Sequence, residues 1–175
     1  MKDSRVFIIQ GKQGEGKTGK LKALVHLLQP SLPGVFGFYA PGEWENGLRK
    51  AFRIIDIASG RQHLLCTRKG RTNLSKGTFV FYPATLQEGE HILRNGIQQH
   101  GALAVVDEIG RYELQGKVWH DILIVLLENK IPVLMTVREN LVEKIISHFQ
   151  ITHPVIFPVE EPAESMARTI LDEII

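Results

Sequence analysis

The chain has 175 residues, 43% of them hydrophobic and 23% charged, with a formal net charge of +2. Such a composition excludes a disordered or fibrous chain, and the length suits a single α/β domain, residues 1–175, with a sizeable core. A charge so close to balance gives no reason to expect nucleic-acid or membrane-surface binding, and the lone Cys66 excludes an internal disulfide and reads as a small core residue beside Leu64 and Leu65.

Met1-Lys2-Asp3-Ser4 is expected to lead directly into the fold, with no signal segment. The longest apolar run, Ile122 to Leu127, falls far short of the roughly 20 residues a spanning helix requires. The expectation is a cytoplasmic protein. Arg5 to Gln10 is a short β-branched, apolar run of the kind that forms a buried parallel strand. It runs into Gly11-Lys12-Gln13-Gly14-Glu15-Gly16-Lys17-Thr18, which fits G-x-x-x-x-G-K-[ST], the phosphate-binding loop of proteins that hydrolyse or transfer nucleotide phosphates. The chemistry explains the residue types. Backbone N–H groups must converge on an anion, and Gly11, Gly14 and Gly16 permit the dihedrals and close approach this needs. Lys17 carries positive charge to the β- and γ-phosphates, and the Thr18 hydroxyl is suited to ligate Mg²⁺. The following helix directs its positive end at the same anion. Gly11, Lys12, Gln13, Gly14, Glu15, Gly16, Lys17, Thr18 and Gly19 are the expected nucleotide contacts.

Leu21, Leu24, Val25 and Leu28 recur at helical spacing until Pro30 stops the pattern. Val35 to Tyr39 reads as a strand, and residues 41–47 as a loop closed by the turn signal Asn46-Gly47. Residues 52–57 and 63–66 flank Ala58 to Gln62 as a hairpin, and 67–77 is a basic loop containing Arg68, Lys69, Arg71 and Lys76. That loop is expected to be solvated, with coverage of the phosphates as its alternative. A strand at 78–82 and a helix at 84–99 follow. Then come the apolar run 102–106, a helix at 116–129 and a strand at 132–136. A helix through Leu141 to Phe149, a strand at 155–157 and a closing helix through Met166 to Ile174 complete the chain. This alternation implies a mostly parallel sheet with helices on both faces. The hairpin at 52–66 is expected as an antiparallel extension at one edge.

Ligands of such sheets bind at the carboxyl ends of the strands. Both Gly11 and Asp107 lie at such ends, so the two motifs are expected to meet. Asp107, at the tip of Leu103 to Val106, is expected to hold Mg²⁺ with Thr18, and Glu108 to orient or deprotonate the attacking nucleophile. A cation beyond Lys17 is needed for the transferring phosphoryl group. Arg138, at a strand tip, is favoured over Arg49 and Arg111. The histidines show no spacing suited to zinc.

Together these stretches resemble the THEP1-type nucleoside-triphosphatases. The likeness rests on Gly11 to Thr18, on Gly37-Phe38-Tyr39 followed by Gly47, Arg49 and Phe52, and on Asp107-Glu108-Ile109-Gly110 with Glu113-Leu114. It runs from the first strand to about Arg138. The resemblance implies a RecA-like P-loop fold and slow, Mg²⁺-dependent hydrolysis of ATP, GTP and other triphosphates to diphosphate and phosphate. The chain departs from the family pattern in four places. Ala40 to Glu43 replaces the usual Glu-Val-Arg, Arg111 a usual lysine, Gly19 a usual threonine, and Gln13 and Glu15 the usual proline and valine. Two rival activities use the same parts. One is transfer of the γ-phosphoryl to a small nucleoside or nucleotide, with the 40–50 loop, its Trp44 and the basic loop as a lid. The other is a nucleotide-dependent switch without turnover. Any protein partner is left open.

Overall fold

The computed structural model describes residues 4–175, so the expectation for Met1 to Asp3 lies outside the described residues. The strands are β1 (Val6–Gly11), β2 (Val35–Tyr39), β3 (Gly42–Glu45), β4 (Leu48–Asp56), β5 (Gln62–Lys69), β6 (Thr78–Phe81), β7 (Leu103–Ile109), β8 (Val133–Arg138) and β9 (Val155–Pro158). The helices are α1 (Lys17–Leu28), α2 (Pro83–Gln98), α3 (Arg111–Leu114), α4 (His120–Glu128), α5 (Val142–His148) and α6 (Ala163–Ile174). All strands join one sheet in the order β6-β5-β4-β2-β7-β8-β1-β9, with β3 paired to β4. The β2-β7-β8-β1-β9 half is parallel throughout. The mixed α/β fold is the one expected.

Side chains alternating along the parallel strands divide into two cores. Val6 and Ile8 of β1 pack on one face with Leu93 of α2, Leu123 of α4 and Ile145 of α5. Phe7 and Ile9 point to the other face, against Leu21 and Leu24 of α1 and Met166 of α6. Because both faces are covered, these strands are apolar at nearly every position, which is why they are easy to recognise. Phe36 and Phe38 belong to the core, and Cys66 is buried with its thiol pushed up to about 11 by burial. At Gly37 the backbone takes φ +116°, and a Cβ there would lie 2.0 Å from the Val105 carbonyl oxygen, so only glycine fits this strand pairing. Among the described residues no helix is long and apolar enough to cross a membrane.

The antiparallel part is larger than the expected hairpin. Residues 41–47 are not a loop, because Gly42–Glu45 is strand β3, and Asn46-Gly47 (φ 50° and 73°) forms a two-residue turn into β4. Trp44 is half exposed on this short outer strand, so its stretch lacks the apolar alternation of a buried one. Strand β5 continues to Lys69, which shortens the basic loop to 70–77, and β6 pairs back onto β5. Arg68 lies over the Phe79 ring and donates to the Arg49 carbonyl at 2.7 Å, bracing the neighbouring strand. The expected helix at 116–129 starts only at His120. Gly116 (φ 74°) and Val118 (φ 56°) hold the preceding turn in left-handed backbone.

That turn belongs to a short connection after β7 which is fixed by one buried side chain. Glu113 accepts a hydrogen bond from the Gly110 N–H at 2.8 Å and a longer one from the Trp119 N–H at 3.4 Å. Burial pushes its carboxyl from 4.5 up to about 7, against those hydrogen bonds. A carboxyl whose folded pKa exceeds its unfolded one stabilises the fold at low pH, and that stability is lost as pH rises through the folded value. The wild type is expected to lose on the order of 3 kcal/mol between about pH 5 and about pH 8 that Glu113→Gln does not lose. Urea unfolding of both proteins at the two pH values measures this, and parallel losses would contradict it.

Candidate active site

The phosphate loop bridges β1 and α1. Gly14 and Gly16 adopt φ 80° and 84°, the left-handed backbone that the turn requires. Gly11 serves a different need, since a Cβ there would sit 3.0 Å from both the Glu15 carboxylate and the Val159 side chain. The Lys12 N–H donates to Glu15 Oε2 at 2.8 Å, closing the loop on itself. Lys17 opens α1 and is buried. Its ammonium donates to the carbonyls of Gly11 (3.2 Å) and Lys12 (2.9 Å). Desolvation lowers the Lys17 pKa, opposed by the charge of Glu108 and reinforced by Arg49 and Arg138. Three of the expected catalytic and metal-binding groups, Glu108, Arg138 and Asp107, thus lie within electrostatic reach of Lys17, together with Arg49, the cation the sequence did not favour. Gly19 sits in the first turn of α1, with open space where a side chain would project.

Across the sheet, β7 delivers Asp107 and Glu108. One strand, β8, stands between β7 and β1, and side chains span the gap. The Thr18 hydroxyl donates to Asp107 Oδ2 at 2.8 Å, so the loop and the acidic pair touch. The Ala40 N–H donates to the same oxygen at 2.8 Å, and the Thr136 hydroxyl donates to Oδ1. Asp107 has no solvent exposure. Burial, then the neighbouring Glu108 charge, hold its carboxyl above the usual range, while the three hydrogen bonds pull the other way. Just beyond it the β7–β8 pairing slips, with Val106 opposite Met135 but Ile109 opposite Val137. Glu108 occupies this bulge at φ 63°, an unfavourable conformation for a side chain of its size, and its N–H donates to Thr136 Oγ1 at 2.8 Å. The bulge turns Glu108 off the regular pleat and out of the core, leaving Asp107 inside.

The cations divide by element. Arg138, the last residue of β8, is in register with Gly11. Arg49 is on β4, not in a loop, and its Nη1 lies 3.0 Å from Glu108 Oε1. Its guanidinium sits 5.0 Å from the Trp44 ring and 4.9 Å from the Phe52 ring. A Cβ on Gly42 would come within 3.1 Å of the Arg49 side chain, so this glycine leaves room for it. A Cβ on Gly14 would lie 3.9 Å from the Trp44 ring, which places Trp44 beside the phosphate loop. Arg111 is exposed and bonded to the Tyr112 hydroxyl, outside this group. Sequence reasoning missed Thr136 and the Ala40 N–H, and met Glu113 only as part of a motif, without its role. Thr136 offered a signal as the one hydroxyl in the apolar run Val133 to Val137. A backbone donor such as Ala40 offers none.

A family model described as NTPase matches residues 6–171. The nucleoside-triphosphatase THEP1 of Saccharolobus solfataricus is 32% identical over 136 residues, covering 78% of this chain and 77% of its own length. That of Thermotoga sp. (strain RQ2) is 28% identical over 173 residues, covering 97% and 92%. Among solved structures, a human cancer-related nucleoside triphosphatase superposes with a TM-score of 0.68 at 23% identity, covering 98% of this chain and 97% of that one, a likeness of fold. With a match across nearly all its length and a shared architecture, the chain belongs to the THEP1-type nucleoside-triphosphatase family.

Proposed function

We propose that this single domain hydrolyses ATP, GTP and other nucleoside triphosphates to diphosphate and phosphate with the aid of Mg²⁺. The observation that carries the reading is the 2.8 Å bond between Thr18 of the phosphate loop and Asp107 of the acidic pair. It brings a hydroxyl and a carboxylate together, both hard oxygen donors of the kind Mg²⁺ takes. Thr18 and Asp107 would hold the ion, which when bound supplies positive charge against the β- and γ-phosphate oxygens.

The remaining roles belong to side chains. Residues 11–19 enclose the phosphates, and Lys17 neutralises them. Glu108 accepts the proton of the attacking water as its oxygen bonds to the γ-phosphorus, and the diphosphate departs with the β–γ bridging oxygen. Arg138 and Arg49 stabilise the charge on the transferring group. The support for Arg49 is its place in the site, with Nη1 3.0 Å from Glu108 Oε1 and its charge felt by Lys17. Its contact with Glu108 also keeps the base oriented.

Phosphate release from Mg²⁺-ATP and Mg²⁺-GTP tests the reading. Lys17→Ala and Glu108→Gln are each expected to lose about 100-fold or more in turnover. Glu108→Gln should still bind nucleotide, and fluorescence of Trp44 beside the loop reports that binding. Binding without phosphate release in the wild type would sink the hydrolase reading. For the cation, Arg49→Ala is expected to lower kcat by about 100-fold, with Arg49→Lys intermediate because it keeps charge but loses the planar fork. An unchanged kcat in Arg49→Ala would remove Arg49 from the mechanism and leave Arg138 in that role.

A further inference from the structure

Hydrolysis leaves one feature of the site without a purpose. Behind Glu108 lies a cavity of about 100 Å³. Phe52, Phe79 and Phe81 of the antiparallel extension form one wall, and Tyr112 and Trp119 from beyond β7 form another. The rings stand edge to face, with centroids 5.3 Å apart for Phe52 and Phe79 and 5.0 Å for Phe81 and Tyr112. Five carboxyl and guanidinium side chains line the same space: Asp107, Glu108, Arg111, Glu113 and Arg138. Attack by water requires no aromatic walls. A space of this size is of the order that admits a single six-membered ring. Aromatic walls with a few polar groups at the margin are the usual construction of a small-molecule site.

We propose that this cavity binds a single-ring heteroaromatic alcohol, of the pyrimidine-nucleoside or pyridine-methanol class, which accepts the γ-phosphoryl group in place of water. The ring lies among Phe52, Phe79, Phe81 and Tyr112, and its hydroxyl is presented to Glu108. The alcohol oxygen bonds to the γ-phosphorus while the bond from that phosphorus to the β–γ bridging oxygen breaks. The diphosphate leaves with the electron pair, the alcohol proton passes to the Glu108 carboxylate and then to solvent, and a phosphomonoester remains. The inference rests on the nucleotide chemistry proposed above and adds a second substrate to it. It also gives the antiparallel strands a task besides carrying Arg49, since they build a wall that a hydrolase does not need.

The test incubates the full chain with γ-labelled Mg²⁺-ATP and uridine, cytidine or pyridoxine, and separates labelled phosphomonoester from labelled inorganic phosphate. The expected result is a phosphomonoester from at least one of the three, formed saturably and at the expense of inorganic phosphate. Phe81→Ala should raise the KM for that alcohol at least tenfold while leaving hydrolysis without the alcohol within twofold. Ring binding, followed by saturation-transfer NMR in the presence of a non-hydrolysable triphosphate, should weaken in the same variant, and Tyr112→Ala provides a second variant should Phe81→Ala fail to fold. Phosphate release with no phosphomonoester and no ring binding overturns the acceptor site and leaves the hydrolase. A phosphomonoester that forms equally well in both cavity variants also overturns it. Loss of nucleotide binding altogether would instead strike the nucleotide reading on which both depend.

Discussion

A carboxylate with no access to solvent, Asp107, accepts hydrogen bonds from three separate parts of the chain. Thr18 reaches it from the helix after β1, Ala40 from the end of β2, and Thr136 from β8. A carboxyl group buried this deeply is tolerated only when its oxygens are hydrogen-bonded, so each of those segments is constrained by it. Thr136 carries the constraint one step further, because its hydroxyl also accepts the Glu108 N–H. One threonine thereby sets the spacing between the metal-binding carboxylate proposed here and the proposed base. The bulge at Glu108 completes the arrangement, since regular pairing would send consecutive side chains to opposite faces of the sheet.

The antiparallel strands form the other half of the enclosure. On β4, Arg49 is clamped between the Trp44 and Phe52 rings, given space by Gly42, and braced through its carbonyl by Arg68. A guanidinium held by aromatic faces and a carboxylate has little rotational freedom to lose when a phosphate arrives. The parallel half of the sheet thus carries the residues proposed to contact phosphate and metal. The antiparallel half carries Arg49, the cation proposed here, Trp44 beside the phosphate loop and one aromatic wall behind Glu108. The cavity lies where that second half meets the connection after β7.

Legibility from sequence followed burial. Strands buried on both faces were plain as continuous apolar runs, and the phosphate loop was plain because its backbone geometry demands particular residues at particular places. Asp107 and Glu108 were found by position, at the end of such a run. The outer strands were harder. β3 is short and half exposed, so Gly42 to Glu45 reads as a loop, and Arg49 accordingly seemed a loop residue when it is fixed on β4. Glu113 was visible only as part of a motif. Its work, holding the turn after β7 through Gly110, is a matter of backbone donors that no spacing rule exposes. The cavity was not legible at all, since its rings come from β4, β6, α3 and the connection before α4, far apart in sequence.

Coupling of the phosphate loop to a bound metal through Asp107 is read by nucleotide affinity measured with and without Mg²⁺. Titration of the wild type and Asp107→Asn with ATP, read by Trp44 fluorescence, is expected to show at least about tenfold tighter binding with Mg²⁺ in the wild type and no such gain in the variant. A variant that keeps the full Mg²⁺-dependent gain would contradict the account.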